Sequence, residues 1–223
     1  GGVGTYILGS TLFVIPLEDD LGLSRSMSAL LFASGSMVSG LAAPISGLLM
    51  DRYGPRWILI GSVIISSVGY ILFALSANII IVFVVFVGII SPVILNVAFN
   101  ASAAFINNWF QRYKATAMSL LQVGAGLGAV VIIPTLAFVI DSREWRAAAI
   151  VAAGFILVLG LPAAWLSRDT PEELGMLPDG EAPTNDRLHT IIIEPTAKEA
   201  FKTPTFWFMV CAVMTFGSAQ ASL

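Results

Sequence analysis

Gly47-Leu48-Leu49-Met50-Asp51-Arg52-Tyr53-Gly54-Pro55-Arg56 separates two long apolar runs, residues 27–50 and residues 57–76. Gly54-Pro55 is a tight-turn pair, so the chain reverses here and the two runs become antiparallel neighbours. Gly47 removes a side chain where a neighbouring helix can approach closely. Asp51 stands at a helix end, where an acid pairs with a basic group or with the N-terminus of a partner helix. Arg52 and Arg56 hold the turn on the positively charged side of a membrane.

Working outward, six apolar stretches can be read: residues 5–17, 27–50, 57–76, 79–106, 115–140 and 147–166. A helix crossing a hydrocarbon core of about 30 Å needs roughly 20 residues, and the last five stretches reach that length. The first is short. The chain opens inside an apolar run without an initiator Met, so the first helix is expected to be truncated. Its opening residues also lack the basic leader region of a signal peptide. Long uninterrupted runs in lipid must satisfy their backbone internally and therefore read as helices. They lack the short alternation of a membrane barrel. Composition agrees. Of the 223 residues 57% are hydrophobic and 11% charged, whereas a soluble domain carries about 25% charged residues to wet its surface.

Most connections are short, but residues 168–204 form a long polar linker rich in Pro, Asp and Glu. It contains two capping-box patterns, Thr170-Pro171-Glu172-Glu173 and Thr196-Ala197-Lys198-Glu199. Thr203-Pro204 then opens another apolar run. The expected organisation is a six-helix bundle over residues 1–167, a linker over 168–204, and the start of a second bundle over 205–223. Lys and Arg fix the orientation. Arg52, Arg56, Arg112, Lys114, Arg168, Arg187, Lys198 and Lys202 share one side, against Arg25, Arg143 and Arg146 on the other. The linker is therefore expected in the cytoplasm.

The opening decapeptide resembles the signature loop of the major facilitator superfamily: glycine, three residues, Asp-Arg, any residue, Gly, any residue and a base. Further segments narrow the resemblance, among them Leu21-Gly22-Leu23-Ser24-Arg25, Trp109-Phe110-Gln111-Arg112, Asp141-Ser142-Arg143-Glu144-Trp145-Arg146 and Arg168-Asp169-Thr170-Pro171. Together they are similar to the bacterial monocarboxylate-transporter-like and oxalate/formate antiporter branch. The resemblance implies an all-α polytopic fold: the amino-terminal six-helix bundle, built of two inverted three-helix repeats, plus the start of helix seven. Asp51…Arg56 joins helices two and three and Asp141…Arg146 joins five and six at the same spacing, as an inverted repeat would require. It also implies a place in the bacterial inner membrane and a secondary carrier of a small organic carboxylate working by alternating access. The partners implied are a small-molecule substrate, a coupling ion, the lipid bilayer and the carboxy-terminal half. Asp51, Arg52 and Arg56, with Gly47 and Gly54, would form a gating latch.

The five long stretches hold no acidic or basic residue inside, so this half supplies no cation for an anionic substrate. The polar side chains it offers are neutral. In the family, helices one and four line the central cavity, which makes Tyr6, Asn96 and Asn100 substrate-contact candidates, with Gln122 on helix five a further one. Asn96 and Asn100 lie four apart on one helix face. The competing role is interhelical hydrogen-bond glue, favoured for Gln122 and equally weighted for the asparagines. Ser91-Pro92 is placed to loosen the fourth helix. Gly124 and Gly128 form a small-xxx-small packing surface on helix five and, with Pro134, allow it to bend. Trp109, Trp145 and Trp165 read as interfacial anchors.

Other functions fit less well. The single His189 and single Cys211 leave no ligand cluster for a metal and no base inside the bundle for hydrolysis, so no metal, no cofactor and no enzyme activity is expected. A net charge of −3 gives no reason to expect nucleic acid. Neither a filter sequence nor charge rings of a channel are visible. A facilitator-fold carrier for a drug, sugar or amino acid, or a non-transporting receptor or scaffold, remains the alternative.

Overall fold

The computed structural model describes the backbone of residues 2–180, with side chains from Leu12 onward except those of Asn96, Glu173 and Leu174. Residues 181–223, with His189, Cys211, the Thr196 capping pattern and the expected seventh helix, lie outside the described residues. Six helices follow one another: α1 (Gly2–Leu21), α2 (Arg25–Tyr53), α3 (Pro55–Ala74), α4 (Ile79–Trp109), α5 (Lys114–Arg143) and α6 (Trp145–Leu166). The five from α2 to α6 are long and apolar enough to cross a membrane. No strand occurs among the described residues.

The helices reach further than their apolar runs. Asp51 and Arg52 lie in the last turn of α2, and Asp141 and Arg143 in the last turn of α5. Each connection thereby shrinks to one non-helical residue, Gly54 or Glu144. The extension has a local cause: the N–H of Gly54 still donates to Met50 O (2.9 Å) and that of Glu144 to Ile140 O (3.2 Å). Arg52 and Arg143 also stabilise the negative ends of their helices. At their N-termini α2 and α4 are capped by Ser24, whose Oγ accepts from Met27 N, and Asn78, whose Oδ1 accepts from Ile80 N.

Packing follows the repeat in part. The most extensive contacts are α3 with α6 and α3 with α4, followed by α2 with α4 and α1 with α5. Exchanging the first three helices for the second three turns the α1–α5 contact into α4–α2 and leaves α3–α6 on itself, as inverted three-helix repeats do, whereas the α3–α4 contact has no counterpart of similar extent between α6 and α1. The α3–α6 seam is made of small side chains. Ala148, Ala149, Ala152 and Ala153 are buried against the serine face of α3, and Ser67 Oγ donates to Ala153 O (3.1 Å). A Cβ on Gly160 would lie 3.0 Å from Val63, and one on Gly69 3.1 Å from Ile90. Close approach of this kind substitutes in lipid for the missing hydrophobic drive.

The fourth helix is loosened where Pro92 interrupts its hydrogen bonds. Wide π-helical turns, Phe86–Ile90 and Val93–Ala98, flank the proline. Buried Ser91 Oγ donates to Phe86 O (2.9 Å), and Ser39 Oγ on α2 donates to Ser91 O (3.5 Å). The slack is thus taken up by a junction with α2. By contrast α5 remains α-helical through Pro134.

Candidate functional site

Two rims close the ends of the bundle, one at Gly54 and one at Glu144. At the first, Gly54 has φ +79°, ψ 154°, a backbone region open essentially to glycine alone. Glycine offers α3 no side-chain cap. The cap comes from far along the chain: Asp169 Oδ1 accepts from the N–H of Arg56 (2.7 Å). The side chain of Asp169 also packs so close that a Cβ on Gly54 would meet its Oδ2 at 3.0 Å. Arg56 Nη2 donates to Trp165 O (2.7 Å), its guanidinium carbon lies 5.9 Å from the Trp165 ring centroid, and its Nε is buried without a partner. Asp51 is exposed and takes no partner among the described residues, while the guanidinium of Arg52 lies over the ring of its neighbour Tyr53.

The same rim includes the turn between α4 and α5. Asp179 accepts from the backbone N–H of Arg112 (2.8 Å), Gln111 (3.2 Å) and Tyr113 (3.5 Å). Three amides converging on one carboxylate form an anion nest. The Arg112 N–H holds the Asp179 carboxyl below the usual carboxylate range, with the Gln111 and Tyr113 amides and the Arg112 charge adding, and loss of water opposing. Asn108 Nδ2 donates to Asp169 O (3.0 Å), and Trp109 Nε1 to Arg168 O (2.9 Å). The expected capping box at Thr170 does not form. Pro171–Leu174 is a single 3-10 turn whose Thr170 hydroxyl caps nothing, because the chain here bends across the rim rather than starting a helix.

At the opposite rim Glu144 has φ 121°, ψ 156°, close to the backbone of Gly54 and at the same offset of three from its aspartate, Asp141. Arg146 stands where Arg56 stands. Arg56 donates to a carbonyl at the end of α6, and Arg146 Nη2 to a carbonyl just past α3, Ser76 O (3.4 Å). Arg146 also pairs with Asp20 at 2.7 Å. Asp20 accepts in addition from Trp145 Nε1 (3.1 Å). Trp145 is 3% exposed and packs edge-on to Phe73, 5.3 Å away. It is a core residue, not an interfacial anchor, because the indole ring packs on Phe73, the hub of an aromatic cluster that also takes in Phe13 and Phe86. Trp165, 60% exposed, does sit at the surface.

Between the rims, α3, α4, α5 and α6 surround a mostly apolar cleft of about 430 Å³, within the size range of small-molecule sites. Gln122, Gly124 and Gly128 line it beside Ser62, Ser66 and Ser102. Those hydroxyls are already donating within their own helices. Asn100 is elsewhere: its Nδ2 donates to Ser46 Oγ on α2 at 3.5 Å, a helix-to-helix contact. Tyr6 and Asn96 fall on α1 and α4, and their side chains lie outside the described residues. A Cβ at Gly40 or Gly47 on α2, or at Gly126 on α5, would meet nothing within 4 Å, and one at Gly124 would enter the cleft.

Asp169, Asp179 and Asp20 were not singled out by sequence reasoning. One signal for Asp169 existed, since a glycine in the cap position of α3 obliges the acceptor to come from another segment. Basic side chains of the described helices stand only at their ends, which leaves the interior without positive charge. No group of three or more His, Cys, Asp or Glu able to hold a metal occurs among the described residues.

Comparison with known proteins gives this architecture its family. The chain is 25% identical over 185 residues to mouse (Mus musculus) Monocarboxylate transporter 14, covering 81% of this chain and 36% of that protein. It is 25% identical over 169 residues to a Probable hexose phosphate transport protein of Chlamydia trachomatis, covering 75% and 37%. Against the Glycerol-3-phosphate transporter of Bacillus subtilis the identity is 25% over 197 residues, covering 80% and 41%. The chain thus spans less than half the length of these relatives. The family model described as Major Facilitator Superfamily matches residues 2–223. With its apolar spans, inverted repeat and signature turn, this integral membrane chain belongs to the major facilitator superfamily of transporters.

Proposed function

We propose that the chain is the amino-terminal half of a secondary carrier that moves a small organic anion by rocking against a second bundle. One observation carries the reading above the others. Gly40 and Gly47 on one face of α2, and Gly126 on α5, meet nothing within 4 Å in this bundle, and small residues on an open face suit close packing with another helix. Residues 1–167 are then the first bundle, 168–204 the connection on the cytoplasmic side, and 205–223 the start of the second bundle. The basic residues gathered at the Gly54 rim support a cytoplasmic position for it, and a bacterial inner membrane rests on the sequence resemblance alone.

The substrate class rests on chemistry shared by the relatives. A monocarboxylate, a hexose phosphate and glycerol 3-phosphate are all small anions, and a carboxylate is the form favoured by the sequence resemblance. This half would meet the solute with neutral groups, Tyr6, Asn96, Asn100 and Gln122, while the second half would supply the compensating cation and any coupling-ion site. Asp51, Arg52, Gly54 and Arg56 would act as a latch in one end state, Asp51 reaching across to the second bundle. Gly124, Gly128 and Pro134 would set the packing of α5 and let it bend as the halves rock.

Counterflow into liposomes containing the full-length protein tests the reading. Oxalate, formate, lactate, pyruvate and sugar phosphates are the anions to offer, with neutral sugars and amino acids as controls. Exchange of an anion, reduced by Asp51→Asn without loss of membrane insertion, is expected. Flux of neutral solutes alone would remove the anion, and no flux with any solute would remove the carrier.

A further inference from the structure

The segment after α6 is usually read as the beginning of a flexible connection, and its composition invites that reading. Its geometry is different. Over thirteen residues, 168–180, the chain crosses the whole Gly54 rim and contacts both turns of it. At one end Asp169 caps the N-terminus of α3 through the N–H of Arg56. At the other, Asp179 gathers the amides that precede α5. Between them the carbonyls of Arg168 and Asp169 accept from Trp109 and Asn108 at the end of α4. Helices α3, α4, α5 and α6 are therefore joined at one face by a single strand of chain. Residues 168–180 accordingly belong to the same compact unit as the six helices.

We infer that residues 168–180 are a strap and that Asp169 and Asp179 are positioning residues, which fix the signature turn to the α4–α5 turn so that this rim moves as one piece. The inference rests on the carrier reading for its effect on transport, though not for the strap itself. Neither helix turn carries its own acceptor: Gly54 has no side chain, and Tyr113, in the cap position of α5, makes no side-chain cap. The free first-turn amides of α3 require an acceptor, which the strap provides as the Asp169 carboxylate. At the other turn its Asp179 carboxylate, the stronger kind of acceptor, binds the Gln111, Arg112 and Tyr113 amides that lead into α5. Asp169 also packs against Gly54, so it holds the turn from which Asp51 and Arg56 project.

The experiment uses the full-length protein in detergent, with trypsin cleavage after Arg168 as a direct measure of strap opening. Cleavage needs a locally unfolded segment, so its rate follows the open population. Relative to wild type, Asp179→Ala and Asp169→Ala should each be cut about tenfold faster, with the double variant little faster than either. The Asn variants, which keep an acceptor oxygen, should return most of the protection. In liposomes the Ala variants should lose maximal flux with the KM for solute unchanged, and Asn should restore it. Wild-type cleavage as fast as that of the Ala variants would overturn the strap. Faster cleavage with unaltered flux would overturn the positioning role. A protein without flux would count against the carrier reading alone, since the cleavage rates still decide the strap.

Discussion

The Gly54 rim and the Glu144 rim are two versions of one turn, held by different chemistry. Both reverse the chain at a single residue with φ between +79° and +121° and ψ near 155°, three residues after an aspartate and two before an arginine. In both, the arginine reaches a carbonyl at the end of the helix paired with its own. At Gly54 the backbone is unstrained because the residue has no Cβ, and capping comes from a carboxylate of the distant strap. At Glu144 a side chain occupies a conformation that costs roughly 1–3 kcal/mol. There the turn is held by an ion pair and a buried indole. An inverted repeat thus preserves backbone geometry while the groups that stabilise it diverge, which is why the kinship is plainer in dihedral angles than in residue identity.

The largest test of the comparison is to put a side chain on the first turn. Gly54→Val should lower the stability of the full-length protein by about 2–4 kcal/mol through backbone strain and displacement of Asp169. Thermal unfolding in detergent would show it, and an unchanged midpoint would mean the turn conformation is wrong. The reciprocal change, Glu144→Gly, should stabilise by about 1 kcal/mol, since strain is relieved while the unfolded chain gains freedom. A loss of stability instead would show that the Glu144 side chain has a role outweighing its strain.

Smaller still is Arg146→Gln. Its pair with Asp20 is more than a third exposed on average, so the expected cost is below about 1 kcal/mol, and a cost of several would show that the rim is drier than its exposure indicates. The smallest effect concerns pH. The folded carboxyl of Asp179 titrates below its unfolded value of about 3.9. Its stabilising contribution is therefore complete above that value and is lost only as pH falls through the folded one. Amide exchange at Gln111, Arg112 and Tyr113, corrected for intrinsic rates, should stay protected at pH 5 and lose protection well below pH 4. Loss already at pH 6 would implicate another group.

Much of the fold was legible because lipid imposes a strong constraint. A backbone without water must bond within its own segment, so five long apolar runs translate directly into helices, and Gly54-Pro55 into a reversal between two of them. Less of the site was legible. Gly124 and Gly47 were marked for close packing, yet the tight approaches inside the bundle occur at Gly160 and Gly69. Composition marks a glycine, but not which neighbour faces it. Trp145 was assigned to the interface from its place at a helix end, and the structure buries it. The turn before it aims the ring inward, and nothing in the local sequence encodes that direction.

By itself, the sequence determined the membrane as solvent, the long apolar spans, the position of the reversals and the family signature. These depend on local hydropathy, turn chemistry and charge placement, all of which are written along the chain. Only the tertiary structure decided that Asp169 and Asp179 serve the starts of α3 and α5, that Gln122 lines a cleft while Asn100 binds α2, and that Glu144 repeats the backbone of Gly54. The contacts among them join groups 54 to 113 residues apart in the chain. A single carboxylate in a polar linker looks the same in sequence whether it faces water or an uncapped helix, and only packing distinguishes the two.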